Sequence, residues 1–294
     1  MAADDGDRPL EPAGAFETIG NEIRIAILRA LIETDEKAMS FTALRDQVGV
    51  TDSGRFNYHL QRLTDHFIEE TDDGYTLRYP GRKVAHAVLA GTFNERAIMD
   101  PIEVEGSCHS CGAASLVAAY RDERFSVTCD SCEAPILRVP FPPSAVSNRA
   151  PPSVVSAFDR WSTGQAQLAT AGVCPECGGE MQGAISTDTP EEFAVDSIAK
   201  YECTVCQRRA SMTVGAVAFH HPTVQAFYYR RDRDPRSRPY WTIPQLVTDQ
   251  YTTLTATDPL EAQVEFTAAD ESITAVVTEA TEIVTEVQGE SPVL

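Results

Sequence analysis

The sequence predicts an α+β protein of several domains, and three patterns along its 294 residues support this fold class. In the first hundred residues, apolar side chains recur at spacings of three and four, which indicates amphipathic helices. Eight cysteines then form four Cys-x-x-Cys pairs between positions 108 and 206. Beyond position 252, runs rich in threonine and valine predict short strands. We therefore expect a helical N-terminal domain, two four-cysteine modules and a small α+β C-terminal region.

The composition is strongly acidic, with 44 Asp and Glu against 24 Lys and Arg and a net charge of -20. Only three of the basic residues are lysines, a balance typical of proteins from salt-accumulating halophiles; an ordinary acidic protein is the alternative. No apolar run approaches the length of a membrane span, and the first residues lack the features of a secretory signal. We therefore expect a cytoplasmic protein with no membrane contact.

The N-terminal segment is predicted to begin with an acidic, disordered leader over 1–13. A helical period then runs from Phe16 to Ile32 and predicts one amphipathic helix with a single buried face. Ser40 is a suitable N-cap for a short second helix over 41–48. These elements predict a helical domain that starts near position 14.

A third helix is predicted over 53–66, and its two faces differ in chemistry. Phe56, Leu60 and Leu63 recur at helical spacing and are expected to be buried. The opposite face is expected to expose polar side chains, which are Ser53, Arg55, Asn57, Tyr58, His59, Gln61 and Arg62.

A β-hairpin is predicted after this helix, because Asp72-Asp73-Gly74 separates two strand-forming runs at 68–71 and 75–78. A further helix is expected over 81–92. This order of elements is the plan of a winged helix-turn-helix domain, which we place at 14–95.

Two segments of this domain resemble a known family. The run from Val50 to Leu63 resembles the recognition-helix region of ArsR-like winged-helix regulators, especially those of haloarchaea, and Asn21 to Leu28 resembles their first helix. The resemblance implies transcriptional regulation, double-stranded DNA as a partner, and a homodimer formed through the first and last helices.

The polar face of the third helix also suits DNA on physical grounds. Arginine offers paired donors to guanine, and asparagine or glutamine pairs with adenine in the major groove. Ser53 and the first amides of the helix offer a site for a phosphate. The alternative is a polar helix face that contacts another protein.

The sequence departs from the family pattern at two places. The hairpin tip carries Asp72 and Asp73, so we expect Arg78, Arg82 or Lys83 to contact the DNA backbone instead. No cysteine occurs before position 108, which excludes metal sensing by this domain.

The cysteine pairs predict two structural metal sites. Four thiolates at these spacings suit tetrahedral zinc and leave no open position for a reacting water, so we expect two structural zinc ions, with iron as the alternative. Redox-active dithiols are disfavoured, because they usually occur as one pair in a thioredoxin-like setting. The first zinc ribbon, 103–140, and the second, 173–215, are predicted to use as ligands Cys108, Cys111, Cys129, Cys132, Cys174, Cys177, Cys203 and Cys206.

The remaining segments are a linker and an acidic C-terminal region. A Pro-rich linker and helix occupy 141–172, and we expect the helix, from Ser153 to about Thr170, to pack between the two metal modules. The region 216–294 is predicted to be a small acidic α+β segment. It is expected to contain a helix at 222–229 and strands at 262–266, 272–278 and 282–287.

Five arginines crowd into 230–238 and allow two interpretations. Together with neighbouring tyrosines they suit nucleic acid, through charge and stacking. They also suit neutralisation of the acidic C-terminal region or of a second protomer, which we favour.

These observations predict a sequence-specific DNA-binding transcriptional regulator whose zinc ions are structural. The alternative is a zinc-ribbon scaffold that docks onto transcription machinery and has no operator of its own. An enzyme is not expected, because the sequence has no nucleophile elbow, phosphate loop or open metal site. An effector or protein partner for the C-terminal half remains open at this stage.

Overall fold

The chain folds into two compact units, 1–96 and 97–294. The computed structural model describes residues 10–189, 195–231, 234–235, 237–268 and 270–288, with the backbone alone for 286–288. Within those ranges no helix combines the length and the apolar character that crossing a membrane requires. Most of the predicted leader lies outside the described residues, and its last two positions already belong to a helix that begins at Pro12.

The first unit consists of five helices and one hairpin in its described part. In chain order these are α1 (Pro12–Ile19), α2 (Glu22–Glu33), α3 (Phe41–Val48), α4 (Ser53–Leu63), β1 (Ile68–Thr71), β2 (Gly74–Leu77) and α5 (Tyr79–Leu89). Ser40 caps α3 as predicted, since its Oγ accepts the N–H of Ala43 at 3.2 Å. Leu44, Phe56 and Leu60 are fully buried in the core.

The prediction of one continuous helix from Phe16 to Ile32 is wrong. The chain breaks at Gly20, and the Asn21 side chain accepts the N–H of Ile23 at 3.0 Å, which starts a second helix. An N-cap of this kind satisfies a helix-terminal amide and so favours a new helix over continuation of the old one. As a result Phe16, expected on the buried face, is 70% exposed, whereas Ile27 is buried.

The second unit begins with an antiparallel sheet in which each strand pairs with the next. Its strands are β3 (Met99–Val104), β4 (Leu116–Arg121), β5 (Arg124–Cys129) and β6 (Pro135–Pro140), followed by helices α6 (Ser144–Ser147) and α7 (Pro151–Thr170). The ring of Phe125 stacks on that of Phe158 in α7, with centroids 4.0 Å apart. Trp241 is also fully buried in this first core of the unit.

A second core joins the other two sheets of this unit. The elements are β7 (Met181–Ser186), β8 (Ile198–Cys203), β9 (Arg209–Thr213), α8 (Val214–Phe219), α9 (Pro222–Tyr229), α10 (Pro244–Val247), β10 (Thr252–Thr257), β11 (Leu260–Ala268), β12 (Glu271–Thr278) and β13 (Ile283–Gln288). Strands β7 to β9 form one antiparallel sheet and β10 to β13 another. Helix α8 is buried along its whole length. A Cβ added to Gly215 would lie 2.1 Å from the Gln245 carbonyl oxygen, so glycine allows α8 to approach α10.

Several predicted elements of this unit are confirmed, and the structure adds others. Helix α9 has the predicted bounds, and the predicted strands overlap β11, β12 and β13. Helix α7 contributes Phe158 to the first core and Ala169 to the second, so it packs between them as predicted. The three segments predicted as 103–140, 173–215 and 216–294 therefore lie within one compact unit.

Candidate metal centres and candidate nucleic-acid interface

The first four-cysteine cluster lies at one end of the sheet β3–β6. Cys108 and Cys111 precede β4, Cys129 ends β5, and Cys132 lies in the following turn. Two Sγ–Sγ distances, Cys108–Cys132 and Cys111–Cys129, are both 3.7 Å. A tetrahedral zinc ion with Zn–S bonds of about 2.3 Å needs sulfurs about 3.8 Å apart. The predicted set of four ligands is therefore confirmed as a group that can hold a metal ion.

The second cluster repeats this geometry at one end of the sheet β7–β9. Its Sγ–Sγ distances are 3.6 Å for Cys174–Cys206 and 3.5 Å for Cys177–Cys203. In each cluster the four Sγ atoms all lie within 4.8 Å of one another. The thiolate donor set and the tetrahedral spacing fit a structural site with every position filled by protein.

Backbone amides around the sulfurs favour the thiolate form of Cys108 and Cys203. The N–H of Cys206 donates to Cys203 Sγ at 3.4 Å and lowers the pKa of that thiol to about 6. Burial raises the pKa of Cys108, but the amides of Cys111 and Ser110 outweigh it and bring the pKa to about 7. At Cys132 and Cys206 the amides of Ala134 and Arg208 also lower the pKa, but hydrogen bonds with the neighbouring cysteines outweigh them and raise it to about 12. Within each cluster two sulfurs belong to buried residues and two to exposed ones, so each site lies at the surface of its sheet.

Every Cys-x-x-Cys turn ends in a residue with left-handed backbone geometry. Gly112 and Gly178, which follow the first turn of each cluster, have φ angles of 77° and 74°. Glu133 and Gln207 hold the equivalent places after the second turns, with φ of 60° and 59°. Residues other than glycine rarely adopt this conformation, so the residue types at these two positions did not predict a left-handed backbone.

Helix α4 exposes most of the side chains that the sequence assigns to DNA. The exposed ones are Ser53, Arg55, Asn57, Tyr58, Gln61 and Arg62. Within the described part of the chain, the side chains of Arg55, Asn57 and Gln61 form no hydrogen bond or ion pair. The helix therefore presents a face of unpartnered donors and acceptors.

The placement of His59 on that face is wrong. Its residue surface is only 8% exposed, and it lies on the inner side of α4 with Phe56 and Leu60. Burial lowers the pKa of His59, and the positive charges of Arg24 and Arg55 lower it further. Its Nδ1 has no hydrogen-bond partner among the described residues. His59 follows Phe56 by three residues and precedes Leu63 by four, so helical spacing places it on the buried face, and only its polar side chain had suggested the exposed one.

Some of the groups that were expected to bind phosphate, at the start of α4 and after the hairpin, already have partners within the chain. Asp52 caps the helix and its carboxylate accepts the Arg55 N–H at 3.0 Å, so an acidic group already occupies the helix start. The Arg82 guanidinium donates to the Leu77 carbonyl oxygen at 2.8 Å. Arg78 and Lys83 are exposed and remain available for a phosphate.

Two arginines of the cluster, Arg231 and Arg238, make intramolecular contacts. Arg231 forms an ion pair with Glu271 in β12, and its guanidinium lies 3.9 Å from the centroid of the Phe227 ring. Arg238 donates to the Thr242 carbonyl oxygen at 3.1 Å. Arg233 and Arg236 lie outside the described residues. The Arg231 pair agrees with the interpretation that the cluster neutralises the acidic C-terminal strands.

Comparison with known families covers both units. The model of the family described as Domain of unknown function (DUF7351) matches residues 105–283, which is more than half of the chain. The chain belongs to the DUF7351 family. The DUF7351 match contains both four-cysteine clusters. A second model, Domain of unknown function (DUF7347), matches residues 12–88 and covers most of the first unit. No curated protein and no solved structure gave a significant match.

Proposed function

We propose that this protein is a sequence-specific DNA-binding transcriptional regulator. In this proposal the first unit is a winged helix-turn-helix domain of the ArsR-like type, α4 is the recognition helix, and the hairpin β1–β2 is the wing. The observation that carries the proposal is the set of exposed side chains on α4 that lack partners within the described chain. Unpartnered amides and guanidiniums on one helix face suit the base edges of a major groove.

The roles of individual side chains follow from their chemistry. Arg55 and Arg62 offer paired donors to guanine, and Asn57 and Gln61 offer a donor and an acceptor to adenine. Ser53 and Tyr58 are exposed and can donate to phosphates through their hydroxyl groups. His59 has no direct role in this proposal, since its burial places it in the packing of α4 against the core.

The acidic hairpin tip limits where the DNA backbone can bind. Asp72 and Asp73 are exposed and would repel phosphates, whereas Arg78 and Lys83 offer positive charge after the hairpin. In concentrated salt the Debye length falls to about 3 Å, so the overall negative charge of the chain does not prevent close approach.

We further propose that both four-cysteine clusters hold zinc and that these ions are structural. The donor set and the sulfur spacings support zinc, since four thiolates leave no position for a substrate or water. The zinc-to-protein ratio of the purified protein, measured by mass spectrometry of the metals, is expected to be two. A protein that contained iron in place of zinc would contradict this assignment.

A homodimer is part of the same proposal. Phe16 in α1, Leu89 at the end of α5 and Phe93 just after it are all exposed, although they are large and apolar. Apolar side chains on the first and last helices suit a contact between two copies of the domain. Light scattering should report a dimer for the natural protein and a monomer for the Phe16→Ser/Phe93→Ser variant.

The decisive test is chromatin immunoprecipitation of the tagged protein in its own host. This setting keeps the native salt, on which protein–DNA affinity depends steeply. We expect sharp peaks over a shared sequence that disappear in an Arg55→Ala/Asn57→Ala variant. An Asn94→Ala/Arg96→Ala variant is the matched control, because both residues are exposed and lie outside α4. Its peaks should match those of the natural protein.

The absence of peaks, with all variants well expressed and folded, would argue against DNA binding. The second candidate, a docking scaffold for transcription machinery, would then be favoured. It predicts stable protein partners that depend on the four-cysteine unit 97–294 and not on Arg55 or Asn57.

A further inference from the structure

The second unit contains a cavity of about 480 Å³ that no part of the proposed DNA interface uses. We call it the β6–β9 cavity, because residues of those two strands line it together with the segment from Leu246 to Gln250. Each of these strands is the last in its sheet, one in each four-cysteine half of the unit. Its volume lies within the range of about 300–1,000 Å³ that is usual for small-molecule sites.

Apolar side chains from both cores of the unit form part of the cavity wall. Ile136 and Leu137 on one side are buried in the first core, while Leu246 on the other side is buried in the second. Ile198, which also lines the cavity, is buried as well. Met212 in β9 also lines the cavity. Walls of this kind stabilise the apolar body of a ligand by removing it from water.

The rim of the cavity is held in place by hydrogen bonds. The Gln250 side chain donates to the His109 carbonyl oxygen at 3.3 Å, and the His109 ring nitrogen Nε2 lies 3.1 Å from the Trp241 carbonyl oxygen. The Thr213 hydroxyl donates to the Gln245 carbonyl oxygen at 2.8 Å. These contacts fix the rim before any ligand arrives, as binding sites usually require.

Two charged side chains line the cavity, and only one of them lacks a partner. The Asp249 carboxylate accepts the N–H of Asp196 at 2.6 Å, so one of its oxygens already has a hydrogen-bond partner. The Arg138 side chain is exposed and forms no ion pair or hydrogen bond with the part of the chain that the structure describes. Arg138 is therefore the charged side chain of the lining that has no partner in the described chain, and its guanidinium donors suit an anionic group on the ligand.

We propose that the β6–β9 cavity binds a small amphipathic carboxylate, with its apolar body between the two sheets and its carboxylate on Arg138. This inference goes beyond the proposed function and does not depend on DNA binding. It makes the second unit a ligand-binding unit in addition to one that holds metal.

The test uses the full-length, metal-loaded protein with three probes that share a phenylalkyl body of similar length: 4-phenylbutyrate, its neutral amide and the cationic 4-phenylbutylamine. The protein is labelled with carbon-13 at the methionine methyl groups and observed by NMR. The chain has five methionines, of which Met212 lines the cavity while Met99 and Met181 are buried elsewhere as internal references. We expect a saturable shift of the Met212 signal with 4-phenylbutyrate, and binding at least about tenfold weaker for the amide and the amine.

Two variants with matched controls locate the site. Arg138→Gln should weaken the binding of 4-phenylbutyrate about tenfold. Arg124→Gln should leave the affinity unchanged, because Arg124 is an exposed residue of the same sheet that lies outside the cavity lining. Ser211→Trp adds a ring at an exposed lining position and should abolish binding, whereas Thr253→Trp on the exposed face of β10 should not.

Three results would overturn the proposal: no saturable shift of Met212 with any probe, equal binding of all three probes, or equal affinities in Arg138→Gln and Arg124→Gln. None of these results bears on DNA binding, since the variants and the labelled methyl group lie in the second unit. Unchanged reference signals from Met99 and Met181 in each variant verify that the fold is intact.

Discussion

The indole Nε1 of Trp241 donates a hydrogen bond of 2.9 Å to the carbonyl oxygen of Glu105. The two residues are 136 positions apart in the chain. Trp241 is fully buried against Phe125 and the rest of the first core, so its N–H has no access to water. A short segment that follows the arginine cluster thereby completes the core beneath the first four-cysteine cluster.

Replacement of Trp241 by Phe should lower the free energy of unfolding by about 1–3 kcal/mol, because it removes the hydrogen bond to Glu105 and leaves space where the fully buried indole was packed. Thermal unfolding of the metal-loaded protein measures this change. Trp161→Phe is the control, because Trp161 is only partly buried and donates no hydrogen bond to a described residue. Equal losses in the two variants would show that ring size, and not the hydrogen bond, determines the effect.

Each four-cysteine cluster should bind its metal independently. Cys129→Ser should reduce the zinc content from two ions to one, and Cys129→Ser/Cys203→Ser should remove both, because each substitution leaves three ligands in its own cluster. Ser131→Ala, an exposed position between two ligands of the first cluster, should keep both ions.

Removal of the metal should unfold the second unit, since metal-binding free energy is largely folding free energy in such sites. Circular dichroism before and after a strong chelator is added should show loss of strand signal. An unchanged spectrum and an unchanged melting temperature would contradict a structural role for the metals.

The left-handed residues after the Cys-x-x-Cys turns predict that glycine at these positions stabilises the fold, whereas glycine at a neighbouring position destabilises it. Glu133→Gly should raise the free energy of unfolding by up to about 1 kcal/mol, because a left-handed conformation costs a residue with a Cβ about 1–2 kcal/mol. Gly112→Ala should lower the free energy of unfolding by a similar amount for the same reason. Asp130→Gly, next to the same cluster but without positive φ, should only destabilise. Urea unfolding of the metal-loaded variants distinguishes these results.

Burial of His59 should make the first unit less stable in mild acid. Its pKa in the folded state is below the ordinary value of 6.5, so the unfolded chain takes up a proton first as the pH falls. The contribution is fully present above pH 6.5 and is lost as the pH decreases toward the folded-state pKa. His59→Gln should reduce the slope of unfolding free energy against pH below 6.5, measured by urea unfolding, while His86→Gln at an exposed position should retain it.

Local sequence patterns were sufficient to predict several features of the fold. The hairpin at Asp72-Asp73-Gly74, the Ser40 cap and helix α9 each depend on residues within a few positions of one another. The grouping of the cysteines was equally accessible, because two Cys-x-x-Cys turns separated by a short β-hairpin can bring four sulfurs together.

Other features of the fold could not be predicted from the sequence, and the reason can be given for each. Strands β3 and β6 carry Pro101, Pro135 and Pro140, which conceal an edge strand from a pattern search. The break at Gly20 and Asn21 was hidden because apolar spacing continues across it. His59 looked like part of the polar face, since hydropathy alone does not reveal whether a histidine is buried.

By itself the sequence determined the two metal-binding groups, the hairpin of the first unit and the polar character of α4, because these depend on residue type and short-range spacing. Only the tertiary structure decided that the second four-cysteine sheet shares a core with the C-terminal sheet, that Trp241 joins the first core, and that a cavity lies between β6 and β9. These features depend on contacts between segments far apart in the chain, whose free energy is gained only when apolar surfaces from both segments leave water together.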